Sequence, residues 1–152
     1  MTSTTFFAAG GCRCERVRFE LSAQPIITVA CHCTGCQRMT GSAFSTSAAC
    51  DANAFSIVKG ETVIGGLHGA IRHRFCAHCM SWVYTQPEGI DTFVNVRLTL
   101  FDEPAHLPPF LETYTCEKLP WVNVPAVRSY EKFPPFEDYG MLAEAYSAYY
   151  AD

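Results

Sequence analysis

The chain has 152 residues, of which 49% are hydrophobic and 17% are charged. This composition can fill the core of one domain and is not that of a disordered tail. The net charge of -4, from 11 basic and 15 acidic residues, lacks the basic excess of non-specific nucleic-acid binders. No run approaches the roughly 20 apolar residues that cross a bilayer. We therefore expect a single domain over 1–152, with no nucleic-acid or membrane partner.

Alternation of apolar and polar residues predicts short β-strands along much of the chain. The clearest cases are 16–21 and 92–100, where every second residue is apolar and Arg97 falls on the opposite, polar side. Turn glycines such as Gly60 separate shorter candidates at 43–49, 55–58, 61–64, 71–75 and 81–85. Many short strands between turns indicate a mainly β domain.

The last third of the chain follows two other patterns. The stretch 102–136 is rich in proline, so it can hold only short or edge strands, and we expect it to wrap the core as extended chain. Beyond it, helical spacing predicts a short amphipathic helix over 138–150, with an apolar stripe of Leu142, Ala145, Tyr146 and Tyr149. We interpret that aromatic stripe as a packing surface.

The nine cysteines fall into three clusters and two single residues. The clusters are a CxC, a CxCxxC and a CxxC, formed by Cys12 and Cys14, by Cys31, Cys33 and Cys36, and by Cys76 and Cys79. The N-terminal sequence lacks the basic region of a signal peptide, so we expect a reducing, cytoplasmic location. In a reducing compartment, cysteines are more often metal ligands or reactive thiols than disulfides. Nine cysteines, an odd number, also cannot all pair as disulfides.

Zinc chemistry predicts how these clusters combine. Zinc favours four tetrahedral ligands, and structural sites usually join two knuckles that are distant in sequence. We predict one closed structural site from the first and third clusters, which would couple metal binding to folding. The three cysteines of the second cluster remain, and three protein ligands with one free position are the arrangement of a reactive zinc.

Spacing alone leaves this partition open. The first cluster could instead pair with two cysteines of the second, and the free position could be filled by His32, His78 or Cys50. A set of redox dithiols is the alternative without metal. We favour the partition above because a single tight loop most easily turns three cysteines inward. We interpret Cys50 and Cys116 as buried free thiols.

Three segments in this order resemble the glutathione-dependent formaldehyde-activating enzyme (GFA) family, which includes centromere protein V. They read GGCRCERVRFE, CHCTGCQRMTGSAFST and RHRFCAHCMSWVY, and the tail VNVRLTLFDEP is similar too. The resemblance covers roughly residues 10–122 and leaves 123–152 as a C-terminal extension. It implies a rolled, mainly β, multi-sheet fold around two zinc ions. Glu15 and Met80 stand where the family usually has glycine, at positions where a knuckle often needs a positive φ.

The resemblance also implies site residues and a reaction. It assigns the first and third clusters to a structural zinc and the second cluster to a catalytic zinc. The sequence leaves open that this second zinc is loosely held. The implied function is a carbon–sulfur lyase acting on a thiol–aldehyde adduct, with glutathione and formaldehyde giving S-hydroxymethylglutathione. We expect Arg38, Ser42 and Phe44 to line the substrate pocket, Arg38 by pairing with a carboxylate, and His32 to point away from the metal. The alternatives are a non-catalytic module that binds a thiol or a partner protein, and a structural protein with two closed zinc sites.

Overall fold

A computed structural model describes residues 5–67 and 69–151 of the chain. Within these ranges the chain forms eleven β-strands and two α-helices. The strands are β1 (Ala8–Gly11), β2 (Arg18–Leu21), β3 (Ile27–Cys31), β4 (Ser45–Asp51), β5 (Phe55–Lys59), β6 (Thr62–Gly65), β7 (Ile71–Cys76), β8 (Trp82–Pro87), β9 (Phe93–Arg97), β10 (Leu111–Thr113) and β11 (Arg128–Ser129). The helices are α1 (Thr34–Thr40) and α2 (Tyr139–Tyr150). Neither helix has the length and apolar character that crossing a bilayer requires.

The strands form two sheets. The larger has the order β11-β10-β3-β4-β9-β8-β7-β6, and the smaller has the order β1-β2-β5. Neighbouring strands are antiparallel except where β10 lies parallel to both β3 and β11. The predicted fold class, mainly β in several sheets with a short C-terminal helix, is therefore confirmed.

The main hydrophobic core lies between the two sheets. Phe19 and Leu21 of β2 are completely buried, and they share this core with Ala48 of β4 and Val96 of β9. Alternate residues of each strand point inward because successive side chains of a strand face opposite sides. Burying each large apolar side chain contributes roughly 1.5–3 kcal/mol. Two metal-type cysteines, Cys12 and Cys76, belong to the same cluster, so the edge of this core is built from thiols.

A smaller core joins α2 to the larger sheet. Leu142 and Tyr146 are buried against Ile27, Phe110 and Leu111. The ring of Phe110 also meets the ring of Tyr146 edge-on, with 5.7 Å between centroids. The predicted helical stripe therefore packs as expected, except that Tyr149 at its end stays 57% exposed.

The predicted strands all correspond to observed ones, with one difference at a boundary. The pattern over 92–100 runs through Leu98, but β9 ends at Arg97 and a 3-10 turn, Leu98–Leu100, follows. Leu98 is buried in that turn, so the apolar alternation continues where the strand does not. The sequence pattern missed β1, β3 and α1, while the proline-rich stretch holds the short strands β10 and β11.

Candidate metal centres

The first candidate site brings together the four thiols of the first and third cysteine clusters. Cys12 and Cys14 follow β1, Cys76 ends β7, and Cys79 lies in the turn before β8. Their ligand atoms all lie within 4.8 Å of one another. Two of the sulfur pairs are close neighbours, with 3.5 Å between Cys12 and Cys14 and 3.8 Å between Cys14 and Cys76. All four cysteines are free thiols, so the cluster is not held by disulfides.

Two tight backbone turns aim these thiols inward. The N–H of Glu15 donates to the carbonyl of Cys12, and the N–H of Met80 donates to the carbonyl of Cys76. Each turn is closed by a residue in the left-handed region, with φ of 63° at Glu15 and 60° at Met80. These are the two positions where a positive φ was expected. Backbone N–H groups also point at sulfur, from Val17 to Cys12 at 3.3 Å and from Cys79 to Cys76 at 3.4 Å.

The four thiols are close enough to shift one another's pKa values. Burial raises the pKa of Cys79, but hydrogen bonds from Ser81 outweigh burial and lower it to about 5. A backbone hydrogen bond at Arg16 lowers the pKa of Cys14, but burial and the neighbouring thiols raise it to about 11. Thiols this close cannot all ionise together unless a positive charge lies among them. The donor set of four sulfurs therefore fits a zinc ion.

The second candidate site is built from one end of β3 and the first turn of α1. Cys31 ends β3, Cys33 is the N-cap of α1, and Cys36 lies within its first turn. Their ligand atoms also lie within 4.8 Å of one another, and no fourth histidine, cysteine or carboxylate of the described residues joins them. The Sγ of Cys33 accepts the N–H of Cys36 at 3.3 Å, so this thiol caps the helix as well. Gly41 ends the helix in the left-handed conformation, with a φ of 62°.

The three thiols of this cluster share their protons unequally. A hydrogen bond from Cys36 lowers the pKa of Cys31 to about 5, against the effect of burial. The same contact, together with burial, raises the pKa of Cys36. The contact therefore separates the pKa values of these two thiols, and a cation placed among the three sulfurs would favour the charged form of each. Three sulfurs alone leave a fourth zinc position for another ligand.

The alternatives for that fourth position lie elsewhere in the fold. His32 is completely buried, and its Nε2 faces Glu112 rather than the thiols. Cys50 is buried in the main core, where its Sγ donates to the carbonyl of Ala48. His78 lies in the turn of the other cluster, between Cys76 and Cys79. The structure thus groups the thiols four and three, in the partition we favoured.

A buried polar network supports the three-cysteine cluster from behind. The Nε2 of His32 lies 2.8 Å from an oxygen of Glu112 on β10. Glu112 also accepts hydrogen bonds from Lys118 at 3.0 Å and from Ser129 at 2.7 Å. The register of β3 with β10 places Glu112 beside Ala30, next to the first cysteine of the cluster. This network fixes the side chain of His32, which lies between Cys31 and Cys33 in the sequence, so that its Nε2 faces Glu112.

A second set of contacts fixes the start of α1. The carboxylate of Glu117 accepts the N–H of Thr34 at 3.0 Å and its hydroxyl at 3.1 Å. The side-chain amide of Gln37 donates to the carbonyl of His32 at 2.8 Å and to that of Glu117 at 3.1 Å. Segments far apart in sequence therefore hold the loop that presents the three thiols. Sequence reasoning missed Glu112, Glu117 and Lys118, which stand in the proline-rich stretch without a recognisable spacing.

The residues predicted to line the substrate pocket lie around the end of α1. Arg38 is exposed in the last turn of the helix, and Ser42 is exposed just beyond its C-cap. Phe44 is half-buried, with 5.5 Å between its ring centroid and that of His32. The structure thus brings Phe44 against the loop of the three-cysteine cluster, whereas Arg38 and Ser42 face solvent.

The two single cysteines differ in exposure. Cys50 is a buried free thiol, as predicted, and burial raises its pKa to about 12. Cys116 is a free thiol as well, but it is exposed, so the prediction that it is buried is wrong. It lies in a 3-10 turn, Thr115–Glu117, that packs none of its residues into the core.

The fold and the site together define a mainly β protein with two cysteine clusters that could hold metal ions. Comparison with known families agrees with this class. The model described as glutathione-dependent formaldehyde-activating enzyme matches residues 7–117, and the chain belongs to this GFA family. Membership supports, in general terms, a glutathione-related, formaldehyde-activating function.

One solved structure shows the same fold at low sequence identity. A crystal structure of a Rhodobacter sphaeroides protein is similar over 80% of this chain and 99% of that chain, with a TM-score of 0.51 and 17% identity. At this identity the likeness concerns the fold alone. No curated protein matches the sequence.

Proposed function

We propose that the protein is a zinc-dependent carbon–sulfur lyase that acts on a thiol–aldehyde adduct such as S-hydroxymethylglutathione. The observation that carries the proposal is the three-sulfur cluster of Cys31, Cys33 and Cys36, which no fourth ligand of the described residues completes. Membership in the GFA family supports a thiol and an aldehyde as the reaction partners. Two zinc ions per chain are proposed, one at each cluster.

In this proposal the four-cysteine cluster is structural and the three-cysteine cluster is the reaction site. When bound at the three thiolates, zinc supplies a position that takes up an external thiol as its thiolate. The chain fixes this site through the N-cap at Cys33 and through the buried pair of His32 and Glu112. These contacts orient the sulfurs before substrate arrives, which reduces the cost of positioning the reacting groups.

The lyase direction breaks the carbon–sulfur bond and the hydroxyl O–H bond of the adduct and forms the carbonyl double bond of the aldehyde. In the lyase direction the carbon–sulfur bond of the adduct breaks and the sulfur keeps the electron pair. The adduct hydroxyl loses its proton to water as its carbon becomes the aldehyde carbonyl. The reverse direction joins a thiolate, the nucleophilic form of the thiol, to the aldehyde carbon. We assign Arg38, Ser42 and Phe44 to the walls around the substrate, with Arg38 free to reach a carboxylate from the helix surface.

The variant Cys33→Ser tests the proposal. Serine is a good N-cap, so the variant keeps the start of α1 while losing one sulfur of the open cluster. We expect it to lose zinc from this cluster and activity on S-hydroxymethylglutathione, with an unchanged circular dichroism spectrum. Cys116→Ser, an exposed thiol outside both clusters, is the matched control and keeps both. Full zinc content and full activity in Cys33→Ser would contradict the proposal, as would glutathione binding by the wild type without any rate above buffer.

A further inference from the structure

A buried arginine lies on the same sheet face as the three-cysteine cluster. Arg97 ends β9, is only 8% exposed, and its guanidinium carbon lies 3.8 Å from the ring centroid of Trp82. Its Nε is buried without a hydrogen-bond partner. Over 5–67 and 69–151, no carboxylate forms an ion pair with it. The sequence pattern had placed Arg97 on a polar strand face, and its burial is a finding of the structure.

The buried guanidinium of Arg97 is energetically unfavourable unless a hydrogen-bond acceptor, best an anionic one, binds it. Buried charges in proteins are ordinarily paired, because removing them from water is costly. Stacking on an indole offsets part of that cost but satisfies none of the N–H donors of the guanidinium. A planar guanidinium is best matched by a carboxylate, which can accept two parallel hydrogen bonds from it.

The strand register places this arginine beside the reaction site. Cys31 of β3 pairs with Ser45 of β4, and Ser47, two residues along β4, pairs with Arg97. Paired residues and residues two apart share one face of a sheet, so the cluster and the arginine face the same side. Burial lowers the pKa of Arg97 to about 10, while the thiols of Cys36 and Cys31 act in the opposite direction. Arg97 thus lies two strands across from Cys31 and two residues along the sheet, on the same face.

An irregularity in β8 turns the tryptophan toward this face. Phe75 pairs with Trp82 although Arg74 pairs with Tyr84, so one extra residue, Val83, is inserted in β8. Such bulges re-aim side chains and occur often beside active sites. The indole N–H of Trp82 donates to the hydroxyl of Thr85 at 3.0 Å, which fixes the ring under the guanidinium.

We propose that Arg97, stacked on Trp82, forms a carboxylate-binding subsite beside the three-cysteine cluster and receives the carboxylate of the thiol substrate. The inference rests on the proposed function, since it takes the thiol to be held at the cluster. It assigns the protein a preference for thiols that carry a carboxylate over thiols that lack one. The buried Arg97 would then bind a carboxylate of the substrate, in addition to the exposed Arg38.

Two small thiols distinguish binding through the carboxylate from binding through the sulfur. We would titrate the zinc-loaded protein with 3-mercaptopropionate and with 2-mercaptoethanol, which differ in a carboxylate and a hydroxyl. The variant Trp121→Phe removes a tryptophan that is 76% exposed, so that Trp82 alone reports binding by fluorescence. We expect 3-mercaptopropionate to bind about tenfold more tightly, the gain of one charge-assisted contact. Arg97→Gln should reduce this ratio to below about twofold.

The control is an arginine outside the site. Arg72 is exposed and pairs with Glu88, and Arg72→Gln should keep the tenfold ratio. A ratio near one in the protein with native Arg97 overturns the inference without any arginine variant, even if Arg97→Gln fails to fold. A ratio that persists in folded Arg97→Gln overturns it too.

The proposed function and this inference can fail separately. Binding of both thiols with equal affinity leaves the thiol site standing and removes the carboxylate subsite. If neither thiol binds, the proposed thiol chemistry fails, and titration with acetate decides the inference. A change in Trp82 fluorescence that acetate causes and Arg97→Gln abolishes supports the subsite, and no change with acetate rejects it.

Discussion

The imidazole Nε2 of His32 lies 2.8 Å from the carboxylate of Glu112, although 80 positions separate the two residues in the chain. Both side chains are buried. Glu112 accepts further hydrogen bonds from Lys118 and Ser129, so its charge is compensated where water is excluded. The pair links the loop that carries three candidate ligands to a strand from the far end of the chain.

Neutralising this carboxylate should destabilise the fold. We expect Glu112→Gln to lower the free energy of unfolding by about 1–3 kcal/mol, since it removes the charge that faces Lys118 and leaves buried donors poorly matched. Urea denaturation followed by circular dichroism measures the change. Glu144→Gln, at an exposed position of α2, is the matched control and should stay within about 0.5 kcal/mol of wild type. Equal stability of the two variants would show that the network contributes nothing.

The same carboxylate should make stability depend on pH in a defined direction. Burial raises the pKa of Glu112, but hydrogen bonds from Ser129, Lys118 and His32 outweigh it and lower the pKa below its ordinary value of 4.5. A lowered pKa in the folded state contributes stability above the ordinary value, and this is lost as the pH falls through the folded pKa. The stability difference between wild type and Glu112→Gln should thus be constant from about pH 7 to 5 and shrink below about pH 4. A difference that grows on acidification would reverse the assigned sign.

The two cysteine clusters should respond differently to metal removal. The four-cysteine cluster ties the turn after β1 to the β7–β8 turn and includes the core residues Cys12 and Cys76. We expect a chelator to remove zinc first from the three-cysteine cluster, with little loss of structure. Removal of the second equivalent should unfold the chain, because ligand binding there is part of the folding free energy. Zinc release and circular dichroism, recorded at each chelator concentration, test the order.

Cysteine variants provide an independent check on that order. Cys76→Ser should lower the melting temperature strongly, whereas Cys33→Ser should change it little. A chain that stays folded after losing all its zinc, or a Cys76→Ser variant as stable as Cys33→Ser, would contradict the structural assignment.

The left-handed conformation at Met80 predicts a stabilising substitution. Met80 has a φ of 60° and is 57% exposed, so glycine would relieve backbone strain and lose few contacts. The left-handed region costs a non-glycine residue roughly 1–2 kcal/mol. Glycine avoids this cost but loses more conformational entropy on folding, which offsets roughly 0.5–1 kcal/mol of the stabilisation. Met80→Gly should therefore raise the free energy of unfolding by up to about 1 kcal/mol.

A second methionine gives the control for this prediction. Met141 is 56% exposed but lies inside α2, where glycine is about 1 kcal/mol less favourable than a good helix former. Met141→Gly should therefore destabilise the protein while Met80→Gly stabilises it. Opposite signs in thermal denaturation would confirm that the effect comes from the backbone conformation, and equal signs would reject it.

The elements that the sequence predicted are those with a clear apolar period. In β9 the alternation of Val94 and Val96 follows directly from burial on one face of the sheet. The helix α1 carries no such signal, because none of its residues is buried. It is held instead by the thiol of Cys33 at one end and the left-handed Gly41 at the other, and these contacts become visible only in the structure.

The cysteine clusters were accessible to sequence reasoning, whereas their supports were not. Short spacings such as Cys76 to Cys79 are those with which a single turn can present two ligands to one metal ion. The position of Glu112 behind the second cluster depends on the parallel pairing of β10 with β3, which no local pattern encodes. The burial of Arg97 likewise depends on the bulge in the neighbouring strand that re-aims Trp82.

The parallel pairing of β3 with β10 also has a consequence for biosynthesis. Translation delivers Cys31, Cys33 and Cys36 within six residues, so a nascent chain carries all three sulfurs long before Thr113 arrives to lie beside Cys31. The emerging chain can thus meet a metal ion at these thiols before the ribosome has made the strand that orients them. The final shape of the loop that carries these three thiols is set only when the last third of the polypeptide folds back onto the first.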